Sequence, residues 1–282
     1  MTGRTSRRAP ERGRAAGRQR QRPPLALLVP ALAGAAFLAV PLAGLVADAP
    51  WGDLATRLTS PAVTESLLLS LTVSGWALLV SLLLGVPLAW LLARARFRGR
   101  TLVRCLVILP MVLPPTVAGV ALFQGLGRQG LLGGPLESLG VTLPFTTAGA
   151  VVAAVFVSMP FLVVSLEGAL TGLDPHFEEA AATMGAGPLA TLRLVTLPMV
   201  MPALAAGAAL TWARALGEFG ATITFAGNLP GATQTLPLKV YLLLQEDPAG
   251  ATAVSLLLLA IAAAVLIALR GRWLRPGHTS PG

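Results

Sequence analysis

Long apolar stretches separated by short charged ones dominate this chain. Six of them approach the ~20 residues that a helix needs to cross a hydrocarbon layer. They are 25–46, 66–92, 102–122, 147–166, 200–216 and 251–269. Lipid offers no water to the backbone, so each stretch must close its own hydrogen bonds as a helix. The short alternating segments of a membrane β-barrel are absent. The pattern predicts an all-α polytopic membrane protein with six transmembrane helices.

Charge supplies the direction. With the N-terminus inside, the inner flanks hold seventeen of the 21 Lys and Arg residues, and the outer flanks hold only Arg57, Arg128 and Lys239. Cytoplasmic flanks are the ones enriched in these residues, which places both termini in the cytoplasm. Composition agrees: 12 % of residues are charged, and a soluble domain carries about twice that fraction. Eight arginines precede Leu25 without an aromatic residue among them. A base would have nothing to stack on, so segment 1–24 reads as a disordered cytoplasmic tail rather than a nucleic-acid arm. Segment 25–46 has 22 residues, longer than the roughly 7–15 of a cleaved signal's apolar core, and reads as a retained first helix. Cys105 is the one cysteine, which excludes an intrachain disulfide.

Two regions depart from a plain bundle. The third span carries Pro110, Pro114 and Pro115, the fourth carries Pro160, and the fifth begins near Pro202. Prolines bend helices and free carbonyls, which suits either a bundle around a polar path or kinks in a sealed one. Small residues crowd 203–209 in the fifth span, where they permit close helix contact. The cytoplasmic connection between the fourth and fifth spans is about thirty residues long, well beyond an ordinary loop. Asp174 is a candidate N-cap with Pro175 at the first helical position. Glu178 and Glu179 suit the positive end of that helix. Gly185 and Gly187 permit a sharp turn, after which Pro188 starts a second short helix through Leu194.

Several chemistries are absent. No Gly-x-x-x-x-Gly-Lys-Ser/Thr stretch cradles nucleotide phosphates, and Lys239 is the only lysine. His176 and His278 are too few for a metal cluster, and no hydrolase motif occurs. The chain is expected to bind no metal and no cofactor of its own, and not to be an enzyme.

The long cytoplasmic connection resembles that of ABC importer permeases. Their signature is Glu-Ala-Ala, three residues, Gly, nine residues, Ile, one residue, Leu-Pro. Here it reads Glu179-Ala180-Ala181, Gly185, Val195 and Leu197-Pro198, with valine replacing isoleucine. The resemblance implies a type I importer permease of the bacterial inner membrane, with 174–198 as two coupling helices seated in a groove on a separate ATPase. In that reading Ala180, Ala181 and Gly185 allow close approach, while Met184, Leu189 and Leu192 fill the groove. The partner subunits would consume ATP and Mg. One motif per chain implies a permease homodimer carrying two ATPases, and the family implies an extracytoplasmic binding protein that delivers the cargo.

A second stretch, 213–238, is similar to the molybdate branch of the molybdate/sulfate permeases. Both branches share Leu-Gly-Glu-Phe-Gly, here 216–220, and Asn228-Leu229-Pro230. The runs 220–225 and 233–237, with Val240-Tyr241, lie nearer the molybdate members. The resemblance implies import of molybdate or tungstate, with sulfate or thiosulfate as the alternative. Arg214 and Glu218 are four apart in a span, so they share a helix face and pair with each other. That pair is either structural or a gate that touches the anion in transit. Thr222 and Thr224 offer hydroxyls, and Gly217 and Gly220 offer backbone approach. An ion-gradient-driven transporter would need ionisable relays in several spans and inverted repeats; Arg214 and Glu218 alone are read as such, without a repeat. The expected organisation is the tail 1–24, a first helix 25–46, a permease core 60–270 and a cytoplasmic tail 271–282.

Overall fold

A computed structural model describes residues 25–273 of the chain. The arginine-rich tail 1–24, the C-terminal tail from 274 onward, His278 and the ends that carry the expected cytoplasmic termini lie outside the described residues. The chain divides into two units, 1–47 and 48–282. The first holds α1 (Leu25–Ala47), one continuous apolar helix despite Pro30 and Pro41.

The second unit is built from helices joined by loops, with no strand among its described residues. A short α2 (Leu54–Leu58) leads into α3 (Pro61–Arg94), which is 34 residues long. Then come α4 (Arg100–Val112), α5 (Pro115–Leu126) and the single turn α6 (Gly133–Ser138). Next are α7 (Thr147–Gly172), α8 (His176–Thr183) and α9 (Pro188–Thr191). The chain ends in α10 (Leu197–Leu216), α11 (Gly220–Phe225), α12 (Leu236–Glu246) and α13 (Pro248–Trp273). Among the described residues, five stretches are long and apolar enough to span a membrane: Ala26–Ala47, Pro61–Arg94, Thr147–Gly172, Pro188–Leu216 and Pro248–Val265. This is a multi-pass membrane protein.

The expected third span, 102–122, is not one helix but two, α4 and α5. Its break follows from two consecutive prolines. A residue before proline is pushed out of the helical region. Leu113 precedes Pro114 and Pro114 precedes Pro115, so both take extended geometry, with ψ of 136° and 135°. Pro115 then starts α5, where its missing N–H costs nothing.

The central helix is α7, of which thirteen of 26 residues are buried, so every neighbour is positioned against it. Ala77, Gly85 and Ala89 of α3 belong to a buried stripe of small residues that begins at Ser66. Small side chains let membrane helices pack closely. A Cβ at Gly85 would press on Leu162, Met159 and Val163 of α7 at 3.2–3.3 Å. The small residues of α10 act as expected: a Cβ at Gly207 would sit 3.0 Å from Ser165 Cβ. Ala118 and Leu122 of α5, Ala153 and Val157 of α7, and Ala221 and Phe225 of α11 form one buried cluster.

Two ion pairs fasten the frame. Arg104 of α4 holds Glu167 of α7, its Nε 3.0 Å from Oε1. Glu167 is 8 % exposed and lies one residue beyond the expected fourth span, so the pattern of apolar runs did not mark it as an intramembrane charge. At the other end of the unit Asp247 caps α13, accepting from Gly250 N–H at 3.1 Å, and pairs with Arg57 at 2.5 Å. The Gly250 N–H, with Arg57 beside it, holds the Asp247 carboxyl below its usual range.

Two outcomes follow. Gly119 and Gly220 leave no room for a methyl: Thr224 occupies the first position and Pro115 the second. Replacing either with Ala should lower the detergent unfolding midpoint by an amount equivalent to about 1–3 kcal/mol. Ala at Gly75, where nothing lies within 4 Å, should stay within about 1 kcal/mol of wild type; equal effects at all three would refute this packing. Asp247, with its depressed folded pKa, contributes stability above the unfolded carboxyl value of about 3.9 and loses it as pH falls further. D247N retains a capping oxygen and should flatten the acid limb of the midpoint–pH curve below about pH 4.

Candidate functional site

Asp174 Oδ1 accepts the His176 N–H at 3.0 Å, so the first turn of α8 opens as its sequence predicts. Glu178 and Glu179 occupy that turn. The helix closes on Gly185, whose φ is +85°. Gly185 N–H reaches Ala182 O and Ala186 N–H reaches Ala181 O, both at 3.0 Å. This doubly bonded turn requires left-handed backbone, which glycine adopts without strain. Gly187, by contrast, has an ordinary φ of −70°.

The second expected short helix is not separate. It begins at Pro188, but α9 runs into a π turn, Leu192–Thr196, and directly on into α10. Pro198 explains the widened turn. Proline has no N–H for the carbonyl four residues back, and its ring crowds that carbonyl. A π turn is one way a helix relieves this. The connection between α7 and α10 is therefore one free helix, α8, and one helix continuous with a membrane span.

Glu178 joins the two to the bundle. Its Oε1 accepts from Arg94 Nη2 at 3.0 Å and from Thr196 Oγ1 at 2.7 Å. Arg94 ends α3, and Thr196, 2 % exposed, lies in the π turn. Sequence reading gave Glu178 only a helix-end role; its tie to Arg94, 84 positions away, had no local signal. Glu179 faces outward, 3.4 Å from His176 Nδ1. Ala180 and Gly185 are exposed and Ala181 is buried. Met184 and Leu189 are exposed, at 81 % and 59 %, as are Phe177 and Leu194, which the motif does not include. Leu192 is half-buried and lines a cavity with Trp90, Thr196 and Val200. Val195 and Leu197 are half-buried, and Pro198 is exposed.

A second site lies where the two breaks in the bundle meet. Arg214 lines a cavity of about 150 Å³ with Pro110, Leu113, Pro115, Ala118 and Phe161. No other charged side chain among the described residues lines it. Arg214 Nη1 is 2.6 Å from Glu218 Oε2. This is an ionic contact without hydrogen-bond alignment, because Oε2 has no hydrogen-bond partner. The pair forms as expected, but not along one helix face. α10 stops at Leu216, with Gly217 as its cap. Glu218 is instead drawn to the start of α11, where Oε1 accepts the Ala221 N–H at 2.8 Å. Gly220 sits against Pro115, so α11 and α5 begin side by side. Thr222 is buried. Thr224 turns its hydroxyl to Gly220 O at 2.8 Å and packs on Gly119.

Residues 85–276 match the family of binding-protein-dependent transport system inner membrane components. The chain is 45 % identical over 244 residues to the molybdenum transport system permease protein ModB of Mycobacterium tuberculosis, covering 86 % of this chain and 92 % of that one. It is 37 % identical over 237 residues to the sulfate transport system permease protein CysT of Salmonella typhimurium, covering 83 % and 86 %. Its fold is similar to a chain of a bacterial alginate ABC transporter solved in complex with an alginate pentasaccharide-bound periplasmic protein. The TM-score is 0.73 at 18 % identity, over 91 % of this chain and 96 % of that one.

Glu178 supplies a test of the site's construction. Removing its carboxylate (E178A) takes away two bonds at once, each worth ~1.5–3 kcal/mol for a charged acceptor before solvent screening. Amide exchange in α8 should quicken roughly tenfold while the middle of α7 stays protected. Unchanged exchange in α8 would mean that it is held by something other than Glu178.

Proposed function

Because the chain belongs to the binding-protein-dependent transport system inner membrane components, we propose that it is the membrane-spanning subunit of an ATP-driven importer for molybdate or tungstate. The cargo rests on one observation: identity to a molybdenum permease is 45 %, against 37 % to a sulfate permease at similar coverage. Sulfate or thiosulfate is the alternative cargo. Family membership sets aside the ion-gradient-driven reading.

The working unit in this reading is a homodimer of the chain with two ATPase subunits, which supply all ATP and Mg chemistry. An extracytoplasmic protein binds the oxyanion and presents it. The bound periplasmic protein in the alginate transporter structure supports that division of labour. α8 is the coupling element. Its exposed tip, with Met184 past the helix end and Leu189 after the turn, suits a groove on a partner, and Ala180 and Glu179 flank it. A push on α8 reaches α3 through Arg94 and α10 through Thr196. α10 then carries the displacement over roughly 30 Å to Arg214, at 1.5 Å per residue.

Arg214 marks the narrow point of the path. Molybdate is a tetrahedral dianion, which favours N–H donors and positive ends of helices. Arg214 supplies a guanidinium and Glu218 tempers it, so an anion is held weakly and released. Gly217 and Gly220, at the two ends of the break, give the backbone freedom to shift.

Two measurements test this. In proteoliposomes holding the chain, its ATPase and its binding protein, ATP-dependent molybdate uptake should be suppressed by tungstate and unaffected by equimolar sulfate; preferential suppression by sulfate would move the cargo to the alternative. G185V adds no contact, since nothing lies within 4 Å, but forces a β-branched residue into left-handed backbone at a cost of at least ~1–2 kcal/mol. Uptake should drop roughly tenfold with membrane insertion intact, while G187A should transport normally. Normal transport by G185V would remove α8 from the coupling role.

A further inference from the structure

α7 has α8 at its C-terminal end. Beyond its other end, a cleft of about 550 Å³ opens between the end of α5 and the residues that lead into α7. Phe123, Gln124, Gly127, Arg128, Gln129 and Phe145 line it. No carboxylate among the described residues does. Arg128 is exposed and makes no ion pair among the described residues, whereas Arg57, also on an outer flank, is held by Asp53 and Asp247. The cleft thus offers a free guanidinium fork and two amide side chains to whatever enters.

Its frame is rigid. Leu131 N–H bonds Gln124 O and Leu132 N–H bonds Gly125 O, both at 2.9 Å, and Gly130 N–H closes on Gly127 O at 2.8 Å. A Cβ at Gly130 would lie 2.6 Å from Gln124 O, and one at Gly133 would strike Arg128 O. Only glycine fits this tight loop, which fixes the base of Arg128. Beneath it the Phe123 ring packs at a tilt on Phe145 and edge-to-face on Phe225, with centroids 5.8 and 5.3 Å apart. Phe145 is the one described non-glycine residue with positive φ, at +61°.

α5 joins this cleft to the cavity of Arg214. Pro115 and Ala118 line the cavity, and Phe123 and Gln124 line the cleft. The helix between them is twelve residues long, or about 18 Å. Each end therefore has one arginine, Arg214 at the start and Arg128 just past the finish.

We propose that the Arg128 cleft is a receiving site for a tetrahedral oxyanion dianion, which enters here and passes along α5 to Arg214. The proposal rests on the oxyanion reading above. A planar guanidinium presents paired N–H groups to two oxygens of such an anion, and Gln124 and Gln129 add neutral donors. Exposure keeps binding weak, as a handover station requires.

The test uses the complete transporter in proteoliposomes with molybdate as the probe. R128Q should lower initial molybdate uptake roughly tenfold, the loss expected for one hydrogen bond to a charged group. Stimulation of ATP hydrolysis by the loaded binding protein should persist, which also shows that the variant is folded and docked. Moving the cation within the cleft, as R128Q with Q124R, should restore most of the uptake. Unchanged uptake in R128Q overturns the proposal. So does a parallel fall in uptake and stimulated hydrolysis, which would make Arg128 a docking contact for the binding protein. A wild-type complex that imports no oxyanion at all overturns the oxyanion reading and this site with it, and that result is visible before any substitution is made.

Discussion

Inside lipid, every backbone polar group needs a protein partner, and proline withholds one. This chain places prolines where helices must cross the membrane, and much of its architecture is the response. At Pro114-Pro115 the span divides into α4 and α5. At Pro198 the helix widens into a π turn. Each irregularity leaves backbone less well bonded, so each must be enclosed by neighbours or by polar side chains. The first is enclosed by α7, α10 and α11, and the cavity of Arg214 lies in the remaining space. The second brings Thr196 to Glu178.

Close packing makes the enclosure possible. Serine, alanine and glycine along α3 and α10 bring those helices tight against α7. Membrane helices lack a strong hydrophobic drive toward one another, so dispersion at short range has to supply it. The charged pairs contribute differently. Arg104–Glu167 and Arg94–Glu178 offset much of their own desolvation, so their net stabilisation is small. Losing one partner is costly, because the other charge is left stranded. Such pairs fix which helix end meets which, more than they add stability.

Function rests on the same frame. α10 starts at the π turn beside α8 and ends at the break beside Arg214. One helix thus touches both the proposed coupling surface and the cavity of Arg214, with a bonded hub at its base and an ionic contact at its top. A stiff element held in this way transmits displacement, whereas a flexible loop would absorb it.

The sequence alone determined much of this. Hydropathy gave the membrane class and most of the spans, because crossing lipid demands length and apolarity whatever the neighbours. The residues Asp174, Gly185 and Pro188 announced α8, its closing turn and the restart, because caps and left-handed glycine are local physics. Both resemblances were legible as fixed spacings, and they led to the family. What stayed hidden depended on residues distant in sequence. The double proline was visible, but whether the helix would bend or break was not. The short helices α11 and α12 lacked the length that marks a span. The ion-pair partner of Glu178 was 84 positions away, and that of Glu167 was 63 away. Arg214 and Glu218 were matched correctly by spacing, yet for a reason that spacing does not contain: the carboxylate had left the helix to cap the next one. Only the packed bundle decides which of several arrangements costs least, since a half-buried carboxylate such as that of Glu178 is settled by whatever the fold brings within about 3 Å of it.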